Sequence, residues 1–359
     1  MKLENYFHES VINCEGYSPG EQFDDALVVK LNANENPYPP SHAVLSVLKE
    51  MADSRLRLYP ESTSKDLRKK ISEVYDWPVE GVLVGNGSYE ILSVIFRACL
   101  KNKEVVQFPE LSYSLYSVLA ELNSATVRLL SLDQEWNLEF DNILPAARLT
   151  ILGNPNSPVG NCFDPIKIKE LCERVSGLIV IDEAYIDFSG QTCISLARSN
   201  PNMLILRTFS KSFSLAGIRL GFVLGDPTVI SILSKVRGSY NVNWISEMLG
   251  IAALSTEGLV DMKRKVELVK SERSRVSTEL KKMGFIVPNS FSNYLLAIHC
   301  KYPDLEWLYE ALRKQNILVR YFKKDRIRNA IRVTIGGVEQ NNRFIKIVSN
   351  LLTQKEKHV

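Results

Sequence analysis

The chain has 359 residues, 45% of them hydrophobic and 24% charged, with 44 Lys plus Arg against 41 Asp plus Glu and a formal net charge of +3. This length suits about two domains of 100–200 residues, and the near-balanced charge excludes a strongly basic nucleic-acid groove or a face held on an acidic membrane. The six cysteines are scattered without a C-x-x-C pair and the four histidines lie far apart, which excludes zinc, redox-motif and Ser-His-Asp chemistry and reads the thiols as reduced core residues.

The opening "MKLENYFHES" lacks the apolar segment of a signal peptide. The longest apolar runs, "GLIVI" and "YLLAI", are strand-length and far short of a membrane span of about 18 residues, so a cytoplasmic location is expected. The first thirty-odd residues, with "GYSPGEQF" and "NENPYPP", are too rich in Pro and Asn for a regular element. "SHAVLSVLKEMADS" has helical period behind an N-cap at Ser41, and "SKDLRKKISEVYD" is a second amphipathic helix. "GVLVGNGSYEILSVIFRACL" reads as strand, glycine turn, helix. Next come a strand in "EVVQFPE", a helix in "SYSLYSVLAELN" and a strand in "ATVRLLSL". "RLTILGNPNSPVG" runs from strand into turn, "DPIKIKELCERVS" is a helix, and "GLIVIDEAY" and "NMLILRTFS" are strands.

Apolar strands alternating with helices predict an α/β fold, a large and mostly parallel sheet covered on both faces. Ligands of such sheets sit beyond the carboxyl ends of the strands. After about Asn243 a long helical region predicts two helices broken near Ser255–Gly258. The short strands "FIVPNS", "NYLLAIHC" and "AIRVTIG" and the helices "DLEWLYEALRKQ" and "VEQNNRFIKIVSNLL" then predict a smaller α+β domain.

The polar residues at the strand ends carry the chemistry. Asp182 closes an apolar strand, where a carboxylate is costly unless a cation or donor meets it; its bland reading is a cap or a solvated strand end. Lys211 follows the next strand, among Thr208, Ser210, Ser212 and Ser214, with Arg219 eight residues on. The hydroxyls of Thr208, Ser210 and Ser212, with Arg219, suit a phosphate, and a desolvated lysine becomes a nucleophile towards an aldehyde. The bland reading is an exposed lysine in a turn. "GNGSYE" opens a helix, whose free N–H groups point at an anion, although Gly and Ser also serve packing there. A lysine for an aldehyde, an aspartate for a pyridine nitrogen and an anion cradle are together the protein's share of pyridoxal 5'-phosphate chemistry.

At this point the sequence resembles the fold-type I pyridoxal-phosphate aminotransferases, and within them the histidinol-phosphate aminotransferase family. The likeness runs through "GYSPGEQ", "LNANENPYPPS", "LRLYPE", "VLVGNGSYE", "NPNSPVG", "IVIDEAYIDF", "LRTFSKSFSLAGIRLGF" and "IRVTIG", nearly the whole chain. It implies an arm over residues 1–40 packing on a small domain and a neighbouring subunit, a large cofactor domain over 41–250 and a small domain over 251–359. Lys211 would hold the cofactor aldehyde and then shuttle the proton. Asp182 would pair with the ring nitrogen and Tyr185 would donate to the ring oxygen. Ser210, Arg219 and the backbone of Gly87 and Ser88 would hold the phosphate, and Tyr113 would stack on the ring. Tyr59 would reach the phosphate of the neighbouring subunit's cofactor, which implies a homodimer. Arg332 would take the substrate carboxylate and Arg320 an anionic group, with Tyr17 and Asn36 lining the pocket.

The chain departs from the family pattern twice. Tyr89 replaces the acidic residue after the glycine-small pair. Ser157 and Val159 replace the usual Asn and Thr around the following Pro, which would move the ring-oxygen contact to Asn156 or weaken it. The resemblance implies transfer of an amino group from histidinol phosphate to 2-oxoglutarate, giving imidazole acetol phosphate and glutamate. The competing readings are a threonine-phosphate decarboxylase-like lyase or another biosynthetic aminotransferase, such as an aromatic one, on the same scaffold, and a non-catalytic binding protein that keeps the fold. No metal and no nucleic-acid or membrane partner is expected.

Overall fold

The computed structural model describes residues 3–18, 20–22, 27–51 and 54–357. Glu9–Ile12 forms one helical turn (α1), and Val29–Lys30 a two-residue strand (β1). His42–Glu50 (α2) and Lys65–Tyr75 (α3) lead into Val82–Gly85 (β2), Gly87–Cys99 (α4), Val105–Pro109 (β3), Leu115–Leu122 (α5) and Thr126–Leu130 (β4). The alternation continues through Leu149–Gly153 (β5), Pro165–Arg174 (α6), Leu178–Asp182 (β6), Ile194–Ser199 (α7), Met203–Thr208 (β7) and Gly221–Leu224 (β8). Pro227–Ser234 (α8), Trp244–Ala253 (α9) and Thr256–Lys282 (α10) precede Phe285–Ile286 (β9), Tyr294–His299 (β10) and Glu306–Lys314 (α11). Ile317–Leu318 (β11), Arg320–Tyr321 (β12), Ala330–Thr334 (β13) and Val338–Lys357 (α12) complete the chain.

Strands β2 to β8 form one seven-stranded sheet in the order β2-β8-β7-β6-β5-β3-β4. The β4-β3-β5-β6-β7 run is parallel, and β8 is antiparallel to both of its neighbours. This is the expected mostly parallel α/β sheet. Every residue of β7 is buried, because helices cover both faces. Alternate residues divide between those faces with the period of two that a strand imposes. Val180, Leu204 and Leu206 pack with Ile91, Ile95 and Phe96 of α4. Ile179, Ile181, Met203 and Ile205 pack with Leu67 and Ile71 of α3 and with Ile168 and Leu171 of α6. Strand β4 differs: Thr126, Val127, Arg128 and Leu129 are exposed, because β4 ends the sheet and has a neighbour on one side.

Strand β8 has no counterpart in the reading of the sequence. Its Gly221 stands opposite both Thr208 and Gly85, and a Cβ on Gly221 would lie 2.7 Å from the Ser88 nitrogen. Glycine at this position lets β8 lie against the start of α4, which brings Arg219, two residues earlier, to Gly87.

The predicted helix break is present. Helix α9 ends at Ala253, and Ser255 accepts from the Gly258 N–H at 3.1 Å to cap α10. Beyond it, β12-β13-β10-β9 form a separate antiparallel sheet. The stretch after β1 joins this region: Val29 and Lys30 pair in parallel with Ile317 and Leu318, and the Thr334 N–H donates to the Leu31 carbonyl at 2.9 Å. This threading delivers Ala33, Asn34 and Asn36 to the carboxyl ends of β6 and β7.

Candidate active site

Three parallel strands end close together: Gly153, the last residue of β5, is in register with Asp182, the last of β6, and Asp182 with Leu206, two residues before the end of β7. Asp182 is 6% exposed. Its Oδ2 accepts from the Tyr116 hydroxyl at 2.7 Å and its Oδ1 from the Ala184 N–H at 3.1 Å. Burial raises its pKa above the ordinary carboxylate range, while the two donors and Lys211 act the other way. These donors are what makes a carboxylate tolerable at a dry strand end.

Lys211 lies three residues past the end of β7. Its Nζ donates to the Ala33 carbonyl at 3.1 Å and sits 5.7 Å from the centre of the Tyr185 ring. Burial, with the Arg332 and Arg219 guanidiniums, lowers its pKa to about 8 against the opposing pull of Glu35 and Asp182. An amine held down in this way is partly neutral near physiological pH, and its neutral form is the nucleophile. Asn36 donates to the carbonyls of Lys211 and Ser212 at 3.0 and 3.3 Å, so its amide grips the lysine turn. The Tyr185 hydroxyl accepts from Asn34 Nδ2 at 2.8 Å, and its ring stands edge-on to Tyr294 at 5.1 Å.

A second cluster surrounds the start of α4. Gly87 has φ +80°, and a Cβ there would lie 2.7 Å from Arg219 Nη2. Arg219 itself is exposed, in a left-handed conformation with φ 53°. Thr208 Oγ1 accepts from the Ser210 N–H at 3.1 Å and donates to Ser210 Oγ at 2.9 Å, which leaves the Ser210 hydroxyl proton for another acceptor. The guanidinium, that hydroxyl and the N–H groups opening α4 make a cradle for an anion. Tyr89 points to the surface, at 42% exposure.

Arg332 lies on β13. It donates to Ser157 Oγ at 3.3 Å and to the Asn32 carbonyl at 3.0 Å, and it packs over the Tyr294 ring at 5.1 Å. Among the described residues its buried Nε has no partner and no carboxylate is within salt-bridge distance of it. A half-buried cation without a counter-charge is a site for an incoming anion. Arg320 stands opposite Arg332 in register and donates to the Ser18 carbonyl at 3.4 Å.

Tyr17 meets Tyr113 edge-on at 5.7 Å, and Tyr113 meets Tyr116 likewise at 5.7 Å. Asn156 donates to the Leu111 carbonyl at 2.9 Å, and its buried Oδ1 has no partner among the described residues. Tyr59 stands outside this cluster in the single chain, 82% exposed and stacked on Tyr240 at 4.7 Å.

Two hydroxyls expected to donate to a phosphate turn elsewhere: Thr208 donates to Ser210 Oγ at 2.9 Å and Ser212 to Asp187. Other residues escaped the sequence reading. Tyr116 follows Tyr113 by three residues, and that spacing on a helical turn was the available signal. Asn34 had only its place beside Asn36, and Ala33 acts through its backbone, which no side-chain pattern reveals.

Residues 26–348 match the family model of aminotransferase class I and II. The chain is 38% identical to histidinol-phosphate aminotransferase 1 of Nostoc sp., over 99% of this chain and 100% of the relative. It is 37% identical to the histidinol-phosphate aminotransferase of Clostridium acetobutylicum, over 96% and 98% of the two chains. Among solved structures, it superposes on the histidinol-phosphate aminotransferase of Sinorhizobium meliloti in complex with pyridoxal 5'-phosphate with a TM-score of 0.88 at 19% identity, covering 97% of this chain and 98% of that one. At that identity the likeness is one of fold.

Proposed function

Because the chain belongs to the class I and II aminotransferases, and within them to the histidinol-phosphate aminotransferase family, we propose that it moves an amino group from histidinol phosphate to 2-oxoglutarate, giving imidazole acetol phosphate and glutamate. The full-length likeness to relatives of that name carries the substrate reading. The cofactor is pyridoxal 5'-phosphate, and the residues present fit it. Only glycine readily holds the backbone of Gly87, and the space a Cβ would take belongs to the Arg219 guanidinium, so the cradle is open to a phosphate group.

When bound, the pyridine ring supplies an electron sink for the bond broken at the amino-bearing carbon. Lys211 Nζ would hold the cofactor aldehyde and would hold and move the proton at that carbon. Asp182, itself held by Tyr116, would keep the ring nitrogen protonated. Tyr185 and Asn156 would meet the ring oxygen, Tyr113 would pack on the ring, and Ser210, Arg219 and the N–H groups of Gly87 and Ser88 would hold the phosphate. Arg332 takes the carboxylate of 2-oxoglutarate and the phosphate of histidinol phosphate in turn, with Arg320 as a second cation. Tyr17 borders the substrate space, and Asn36 acts from the lysine turn. The enzyme works as a cytoplasmic homodimer in which Tyr59 completes the partner's phosphate site. Exposed Leu56 at 59%, Leu58 at 55% and Tyr59 at 82% in one short segment support that contact.

The test supplies histidinol phosphate and 2-oxoglutarate to the cofactor-loaded protein and follows glutamate formation alongside carbon dioxide release. Glutamate without carbon dioxide is expected. Carbon dioxide without amino transfer would overturn the reading in favour of a lyase. A monomer by light scattering at catalytic concentrations would overturn the dimer.

A further inference from the structure

The two residues that carry the chemistry in this reading each have a chain neighbour tied to the same guanidinium. Glu183 follows Asp182, and its Oε2 lies 2.8 Å from Arg207 Nη2. Ser212 follows Lys211 and donates its hydroxyl to Asp187 Oδ2. The other oxygen of Asp187 lies 3.4 Å from Arg207 Nη1. Thr192 Oγ1 donates to Glu183 at 2.8 Å and accepts from Arg207 Nη2 at 3.0 Å. Arg207 sits on β7, four residues before Lys211, with its side chain 8% exposed and that of Glu183 fully buried.

A guanidinium fork between two carboxylates has little freedom, because its donors are planar and charge-assisted. Loosening it would leave a buried charge without its partner. This ring of contacts therefore runs from the residue after Asp182 to the residue after Lys211 through one rigid group.

We propose that Ser212 is a positioning residue that, through Asp187 and Arg207, sets the reach of Lys211 against Asp182. The proposal rests on the reading of Lys211 as the residue that binds the cofactor aldehyde. The bland alternative is a network that only stabilises the fold, and the two differ in what they change. The groups facing Lys211 are Arg332, Glu35, Arg219 and Asp182, the Tyr185 ring and the Ala33 carbonyl. None of these is altered by substitution at Ser212 or Asp187, so a change in the titration of Lys211 reports its placement.

The variants are Ser212→Ala, Asp187→Asn and the double substitution, each loaded with pyridoxal 5'-phosphate. Asp187 and Arg207 line a cavity of about 360 Å³ with Thr192, Met262 and Lys263, which leaves room for an asparagine side chain in place of Asp187, and Ser212→Ala removes only a hydroxyl. The readouts are kcat, KM for both substrates, Tm and the pH midpoint of the absorbance of the lysine-bound cofactor. Ser212→Ala is expected to lower kcat about tenfold with KM within about twofold, and to move the pH midpoint. The double variant is expected to lose no more than the worse single one, since both break one path. Unchanged kcat and midpoint with a lowered Tm would overturn the proposal, as would additive losses. Absorbance of the bound cofactor that survives Lys211→Ala would overturn the reading beneath it, and this proposal with it.

Discussion

Tyr116 donates its hydroxyl to Asp182 Oδ2 at 2.7 Å, joining helix α5 to the end of strand β6 where both side chains are buried. Tyr116→Phe deletes that donor and little else. A hydrogen bond to a charged group contributes about 1.5–3 kcal/mol, so the ionised carboxylate becomes harder to maintain. The expected outcome is cofactor affinity and kcat each lowered about tenfold or more, read by absorbance titration and steady-state kinetics. Wild-type values for both would show that Asp182 does not depend on this bond.

Gly87→Ala meets two obstacles at once. The backbone at φ +80° is one that side chains rarely adopt, and the new Cβ would lie 2.7 Å from Arg219 Nη2. A non-glycine residue in such a conformation costs about 1–3 kcal/mol, and the guanidinium must also withdraw from the cradle. Cofactor affinity is expected to fall at least about tenfold, while kcat at saturating cofactor falls far less. An equal loss of kcat at saturation would mean that the cradle acts on the chemistry and not only on binding.

Arg332→Ala removes a cation that has no carboxylate partner among the described residues. Loss of a charge-assisted bond to an anionic substrate group is expected to raise KM for 2-oxoglutarate and for histidinol phosphate, each by about tenfold to a hundredfold. Arg332→Lys keeps the charge but not the fork, and is expected to recover only part of the loss. A rise in KM for one substrate alone would show that the two anions use different arginines.

The Lys211 amine has its pKa lowered from 10.5 to about 8 in the cofactor-free protein, chiefly by burial. Its neutral form is the one that attacks an aldehyde, so capture of pyridoxal 5'-phosphate by the apoprotein is expected to speed up as pH rises through about 8 and then level off. The effect on stability has a definite sign. Between about 8 and 10.5 the unfolded chain binds a proton at this lysine that the folded chain does not. The contribution of this group therefore makes the apoprotein more stable as pH rises through that window. Lys211→Met is expected to flatten both profiles, and a capture rate independent of pH from about 7 to about 9.5 would contradict the lowered pKa.

Much of this molecule is legible before folding. Buried parallel strands read as unbroken apolar runs, and in such sheets the strand ends face the ligand, so Asp182, Lys211 and the Gly87–Ser88 turn declare themselves in one dimension. Ser41 and Ser255 are equally legible as caps, because capping is a local bond within three residues. The resemblance adds roles for Arg320, Arg332 and Tyr17, whose separation in sequence hides their common neighbourhood.

What stayed hidden depends on contacts between distant segments. Strand β8 is short and turns back between β2 and β7, and its place follows from a glycine that permits close approach to α4. The serines around Lys211 are alike in sequence, yet Ser210 meets Thr208 and Ser212 turns to Asp187, because neighbouring side chains leave a turn in different directions. Asn34 looks like part of an irregular arm, and Asn36 like a pocket residue only through the resemblance, until pairing of Val29 and Lys30 with Ile317 and Leu318 carries them to Tyr185 and to the lysine turn. Local chemistry points to the cofactor and to Lys211 as the candidate lysine for it. Only the packing of the arm, the small sheet and the strand ends against one another decided which groups hold that lysine in place.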